Sequence, residues 1–181
     1  MEGIPTMKRL RILIALIVAF AMGTLDLEYP VTASKKSYNA KVIGIADGDT
    51  LVIRRNGRKE KVRLFGVDCP EKRQSFGIDA SRFTQLATLN SSVTVVPINH
   101  DKYGRVVAYL ILDNGRNFNY LLVSEGLAWW FRRYAPHDFQ FAGREILARL
   151  KGKGLWLEAS PVPPWDYRRT MSSHGNFEPV E

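Results

Sequence analysis

The sequence predicts a mixed β+α domain built on a five-stranded barrel, and three observations carry that expectation. Short strand-like stretches alternate with compact turns from residue 38 onward. Asn56-Gly57 lies between two runs rich in β-branched residues, the strongest short-range hairpin signal. One helical stretch falls between the third and fourth strands. At 181 residues the chain suffices for one domain with a real hydrophobic core and an appendage or two, but not for two full domains.

The elements follow in order. Residues 40–46 read as a first strand and Asp47-Gly48-Asp49 as a turn. Residues 51–65 form a hairpin about Asn56-Gly57, giving three consecutive antiparallel strands that end near Val67. Residues 76–89 read as a helix, with Ile78, Phe83, Leu86 and Leu89 partly at helical spacing, closed by Asn90-Ser91-Ser92. Residues 93–98 and 105–112 are two further strands around a polar loop, residues 100–104. A second helix over residues 117–125 places Phe118, Leu121 and Leu122 on one face. A third starts at the N-cap Asp138 and runs through Ile146 and Leu150 to Gly152. Five short strands with a helix after the third match the OB-fold, a partly open Greek-key β-barrel, here with three α-helices. The OB-fold domain then spans residues 38–160. Residues 161–181 form a Pro-containing irregular tail, which Trp156 and Trp165 are placed to pin to the domain.

Residues 1–33 stand apart. Met7-Lys8-Arg9-Leu10-Arg11 precedes an uninterrupted apolar run over residues 12–22, the layout of a secretion signal or a short membrane anchor. The run is shorter than the roughly 20 apolar residues that span a bilayer, which favours a cleaved signal and an exported, secreted or periplasmic protein. Retention of the segment would leave the chain membrane-anchored. Three basic and three acidic residues cancel within this stretch, so the rest of the chain keeps the full formal charge of +8. Such a balance favours a polyanionic partner.

The charged residues that suggest chemistry fall into three groups: Asp47-Gly48-Asp49-Thr50, Arg63-Leu64-Phe65-Gly66-Val67-Asp68-Cys69-Pro70-Glu71, and Asp101-Lys102-Tyr103-Gly104-Arg105. Carboxylates at strand ends supply hard oxygen ligands for Ca²⁺ or Mg²⁺, and guanidinium forks suit phosphate. Together the groups point to metal-assisted phosphodiester cleavage. Each alone has a plainer reading: Asp47-Gly48-Asp49 as a turn, Glu71 as a loop glutamate after Pro70, Arg63 and Arg105 as solvated outer-face residues. Cys69 is the only cysteine, which excludes an intramolecular disulfide, and the three histidines lack partners at zinc-ligand spacing. With no histidine beside it, Cys69 reads as a packing residue rather than a nucleophile. Tyr103, Trp129, Trp130, Phe131 and Tyr134 lie among Arg105, Arg132 and Arg133, the interleaving expected of a surface on which single-stranded bases stack, although aromatics are more often core and Trp129 or Phe131 is expected there.

In order and spacing, the three groups resemble the staphylococcal nuclease (thermonuclease) family. The similarity continues through Glu125-Gly126-Leu127-Ala128, Gly154-Leu155-Trp156 and Pro163-Pro164-Trp165, the last resembling the ending of exported bacterial members. It covers about residues 40–168. The resemblance implies an OB-fold barrel with three helices and a Ca²⁺-dependent phosphodiesterase acting on DNA and RNA with little sequence specificity. It implies Asp49 and Asp68 as metal carboxylates, the backbone carbonyl of Cys69 as a further ligand, and Asp47 in an outer position. Glu71 matches the general base, Arg63 and Arg105 the phosphate-binding arginines, and Lys102 and Tyr103 the residues flanking the nucleotide. The family's namesake has threonine where this chain has Cys69. Single-stranded or frayed DNA and RNA are the expected partners of a monomer, with no protein partner implied. The rival reading is a non-catalytic OB-fold nucleic-acid-binding module, which would tolerate loss of Asp49, Arg63, Glu71 or Arg105; all four are present. A membrane-surface protein would need a basic amphipathic helix, which the sequence does not display.

Overall fold

A computed structural model describes residues 37–174. The N-terminal segment, where a signal or anchor is expected, and the last seven residues of the tail lie outside the described residues. Five long strands close a barrel: β1 (Tyr38–Ile45), β2 (Thr50–Arg55), β3 (Arg58–Leu64), β5 (Ser92–His100) and β6 (Val106–Ile111), in the order β1-β2-β3-β6-β5 and back to β1. Every pairing is antiparallel except β3 with β6, where Val62, Arg63 and Leu64 face Val106, Val107 and Ala108 in parallel. The expected hairpin is there, with Asn56 and Gly57 both at positive φ between β2 and β3. Two short strands, β4 (Val67–Asp68) and β7 (Trp129–Trp130), form a separate antiparallel ribbon beside the barrel.

Strand alternation fills the barrel. Leu51, Ile53, Val62, Leu64, Ala108 and Leu110 are all essentially inaccessible, so the residues between them face outward. Arg63 is therefore on the outer wall, and Arg105, just ahead of β6, lies on the same wall one strand across.

The helices are α1 (Gly77–Thr88), α2 (Phe118–Ser124), α3 (Phe139–Leu150) and α4 (Pro164–His174), with a 3₁₀ turn at Gly154–Leu157. Among the described residues that is four helices, one more than the sequence suggested, and α4 replaces much of the irregular tail expected over residues 161–181. The prolines that suggested irregularity start the helix instead. Pro164 occupies its first position, where a missing N–H costs nothing, and Asp166 in the first turn complements the helix dipole.

The inward face of α1 also differs from the one expected. Ile78 and Leu86 are 71% and 79% exposed, while Gly77, Ala80, Thr84 and Thr88 face the protein. Small residues and threonines let the helix lie close to the barrel, and Thr84 donates to the Gly48 carbonyl at 2.6 Å. On α3, Ile146 and Leu150 are likewise exposed, and Phe141, Glu145 and Ala148 are buried. Helix α2 packs through Phe118, Asn119, Leu122 and Val123.

Asn119 fastens the one parallel seam. Fully buried, it accepts from Leu110 N–H at 3.0 Å and donates to the carbonyls of Phe65 and Ala108 at 2.9 and 3.2 Å. Asn119→Ala leaves the Leu110 N–H and the Phe65 carbonyl without the partner Asn119 supplied, while the Ala108 carbonyl keeps the Phe65 N–H at 2.8 Å, and should cost about 2–4 kcal/mol. Urea denaturation measures this; a loss below about 1 kcal/mol would show that the seam holds without it.

Candidate active site

The β1–β2 turn is shaped by Asp47, whose Oδ1 accepts the Asp49 N–H at 3.1 Å. Gly48 at its apex has no room for a side chain, because an added Cβ would lie 2.8 Å from Cys69 Cβ and Sγ and 2.9 Å from Ala80 Cβ. Turn, β4 exit and α1 thus meet at one point, and Asp49 is aimed inward from it. Its Oδ2 accepts the Cys69 N–H at 2.7 Å, and its Oδ1 accepts from Thr50 Oγ1 at 3.3 Å.

Asp68 is placed by the ribbon, where it pairs with Trp129. Both carboxylates are deeply buried, Asp49 at 4% exposure and Asp68 at 1%. Such burial is costly unless the charge is answered. Arg63 answers both: one terminal nitrogen of its guanidinium contacts Asp49 Oδ1, and the other donates to Asp68 Oδ1 at 2.7 Å and the Val67 carbonyl at 3.3 Å.

Glu71 stands two residues beyond Cys69, in a loop stiffened by Pro70 and closed by Gln74. The Glu71 N–H donates to Gln74 Oε1 and the Gln74 N–H donates to the Glu71 carbonyl, both at 2.8 Å. Its carboxylate is half-exposed and meets Arg168 of α4, whose Nη1 donates to Glu71 Oε1 at 2.7 Å while Nη2 donates to Asp68 Oδ2 at 2.7 Å. Burial works against the Arg168 charge, but these bonds outweigh it and raise its pKa.

The structure therefore brings Asp49, Asp68, Glu71 and Arg63 into one bonded cluster, with Asp47 and the Cys69 backbone behind Asp49. Arg105, Lys102 and Tyr103 form a second group on the β5–β6 loop. Arg105 Nε donates to Asp101 Oδ2 at 2.7 Å, and Asp101 Oδ1 accepts the N–H groups of Tyr103 and Arg105. Desolvation opposes ionisation of Asp101, yet these bonds win and hold its carboxyl below the usual range. The Tyr103 ring is exposed, with Arg105 Cζ 5.5 Å and Lys102 Nζ 5.1 Å from its centroid. Of the five aromatics, Trp129 is buried as the core reading expected, Trp130 is buried with it and Phe131 is stacked under Trp165, leaving Tyr103 and Tyr134 exposed.

The donor set fits a hard divalent cation, because Asp49 and Asp68 converge from two elements and offer only oxygen. Among the described residues no group of three or more His, Cys, Asp or Glu side chains is arranged for a metal. Carbonyls and water must then complete any coordination there. Cys69 adds no side-chain ligand: its thiol is buried, and burial pushes its pKa well up, against the pull of Arg63.

Residues 61–158 match the family model described as staphylococcal nuclease homologue. The chain belongs to the staphylococcal nuclease family. It is 32% identical over 130 residues to an uncharacterized endonuclease of Escherichia coli, covering 72% of this chain and 84% of that protein. It is 33% identical over 146 residues to an uncharacterized endonuclease of Haemophilus influenzae, covering 80% and 81%. A micrococcal nuclease of Shigella flexneri is 34% identical over 148 residues, covering 77% and 85%.

For this staphylococcal nuclease homologue, three residues of the cluster escaped the sequence reading. Arg168 sits 100 residues from Asp68 and on a segment expected to be irregular, so nothing local marks it. Gln74 looks like an ordinary loop residue. Gly77 opens α1 where an added Cβ would lie 1.9 Å from the Glu71 carbonyl oxygen, a contact that nothing within the expected helix over residues 76–89 marks. The packing role of Cys69 has a direct check. Its thiol should resist an aromatic disulfide reagent at about pH 8 in the folded protein and react fully once denaturant is added. Rapid stoichiometric labelling of the folded protein would contradict that role.

Proposed function

We propose that this chain is a Ca²⁺-dependent nuclease that hydrolyses phosphodiester bonds of DNA and RNA with little sequence specificity. Membership of the family and similarity to proteins named endonuclease and micrococcal nuclease support nucleic-acid hydrolysis. The observation that carries the finer reading is the cluster itself: two buried aspartates joined by Arg63, with Glu71 held beside Asp68. The basic then apolar stretch over residues 7–22 supports export of the chain.

In this reading Asp49, Asp68 and the Cys69 carbonyl hold the ion, with Asp47 fixing the turn that aims Asp49. Bound Ca²⁺ supplies Lewis-acid stabilisation of charge on the phosphate. Glu71, held by Pro70 and Gln74, accepts the proton of the attacking water. Arg63 and Arg105, on one barrel wall, donate paired hydrogen bonds to phosphate oxygens as their charge grows. Lys102 and the exposed Tyr103 ring contact the flanking nucleotide by charge and stacking, which every base accepts and which suits single-stranded or frayed substrates.

The full chain should cleave single-stranded DNA with Ca²⁺ and not with EDTA. Glu71→Gln should lower the rate about 10²- to 10⁴-fold while DNA binding persists. Undiminished cleavage by Glu71→Gln would overturn the mechanism. Tight binding by the unaltered chain without metal-dependent cleavage would favour the OB-fold binding module instead.

A further inference from the structure

Helix α4, late in the sequence, packs beside the carboxylates and is anchored there at two points. Trp165 lies flat against Phe131, centroids 5.1 Å apart and planes 9° apart, and meets Trp129 edge-on at 5.8 Å. Just ahead of the helix, the Val162 carbonyl accepts from Gln74 Nε2 at 3.1 Å, and the same Gln74 amide accepts the Glu71 N–H. One turn beyond Trp165, Arg168 spreads its guanidinium across Asp68 and Glu71, with a longer 3.5 Å contact from Nη1 to Asp68 Oδ1. Its side chain remains 45% exposed, so it has a path outward.

We propose that Arg168 is a resident counter-cation of this site, neutralising Asp68 and Glu71 until a divalent ion takes its place, so that metal and guanidinium exclude one another. The inference rests on the reading of Asp49 and Asp68 as metal carboxylates. Arg168 and an ion would compete for the same atoms, because Asp68 Oδ2 accepts from Arg168 Nη2 and Glu71 Oε1 from Nη1, both at 2.7 Å. Two cations set against one carboxylate in a partly buried space repel, so an ion at Asp68 displaces the guanidinium. Arg168 is thus a positioning residue: it holds Asp68 and Glu71 in place and sets how readily the ion enters.

Calorimetric titration of the full chain with CaCl₂ tests this without reference to activity. Arg168→Ala should bind Ca²⁺ about tenfold more tightly than the unaltered chain, the order expected on removing a partly exposed competing ion pair. Arg168→Lys, which keeps charge but not the fork, should fall between them. Without metal, Arg168→Ala should melt at a lower temperature, and the gap should narrow as Ca²⁺ approaches saturation. Unchanged or weaker Ca²⁺ binding by Arg168→Ala would overturn the exchange while leaving the metal reading intact. Failure of every form, the unaltered chain included, to bind Ca²⁺ would overturn the metal reading and the exchange with it.

Discussion

Arg63 between Asp49 and Asp68 is the interaction on which the rest of this molecule turns. The two carboxylates come from separate elements, a turn between β1 and β2 and a ribbon strand outside the barrel, and both are buried. Two like charges in that setting repel and lose hydration, a combination that folding tolerates only with a cation between them. A planar guanidinium suits this because its two terminal nitrogens serve two acceptors at once. Lysine offers a point charge and no such fork.

The surrounding fold serves that arrangement. Gly48, Ala80 and Cys69 are small enough for the turn, α1 and the β4 exit to meet, and the Thr84 hydroxyl ties the turn to the helix. Asp49 is consequently held by backbone on one side and Arg63 on the other. The ribbon is held from behind by a third buried carboxylate, Glu145 of α3, which accepts the Trp130 N–H at 3.3 Å and pairs with Arg132 and Arg149 at 3.5 Å. Aromatic contacts among Trp129, Trp156 and Trp165 then bind the C-terminal part of the chain to the same ribbon. Each such contact contributes about 0.5–1.5 kcal/mol beyond the area it buries.

Much of this was legible in the sequence because it is local. Asn56-Gly57 announces its hairpin, Asp138 announces its helix by capping it, and β-strand alternation marks the barrel interior. The candidate carboxylates and Arg63 were legible as an ordered set, since one barrel topology brings their strand ends together. What stayed hidden depends on contacts distant in sequence. The inward face of α1 could not be read from its larger apolar residues, because the close approach of the β1–β2 turn selects small ones. Arg168 could not be read because its partners lie about a hundred residues earlier in the chain. The prolines ahead of α4 hid the helix because the same residue that breaks a helix interior starts one at its first turn.

Arg63 neutralises a buried pair of like charges, and removing charge first from one side and then from both, in EDTA, isolates that role. Arg63→Met keeps the side chain's apolar length and removes its charge, so equilibrium unfolding in EDTA should show a loss of about 3–5 kcal/mol. Adding Asp49→Asn and Asp68→Asn to that variant should restore most of the loss, because the unanswered charges are then gone. Stability of Arg63→Met equal to that of the unaltered chain, or a triple variant no more stable than Arg63→Met alone, would contradict the claim.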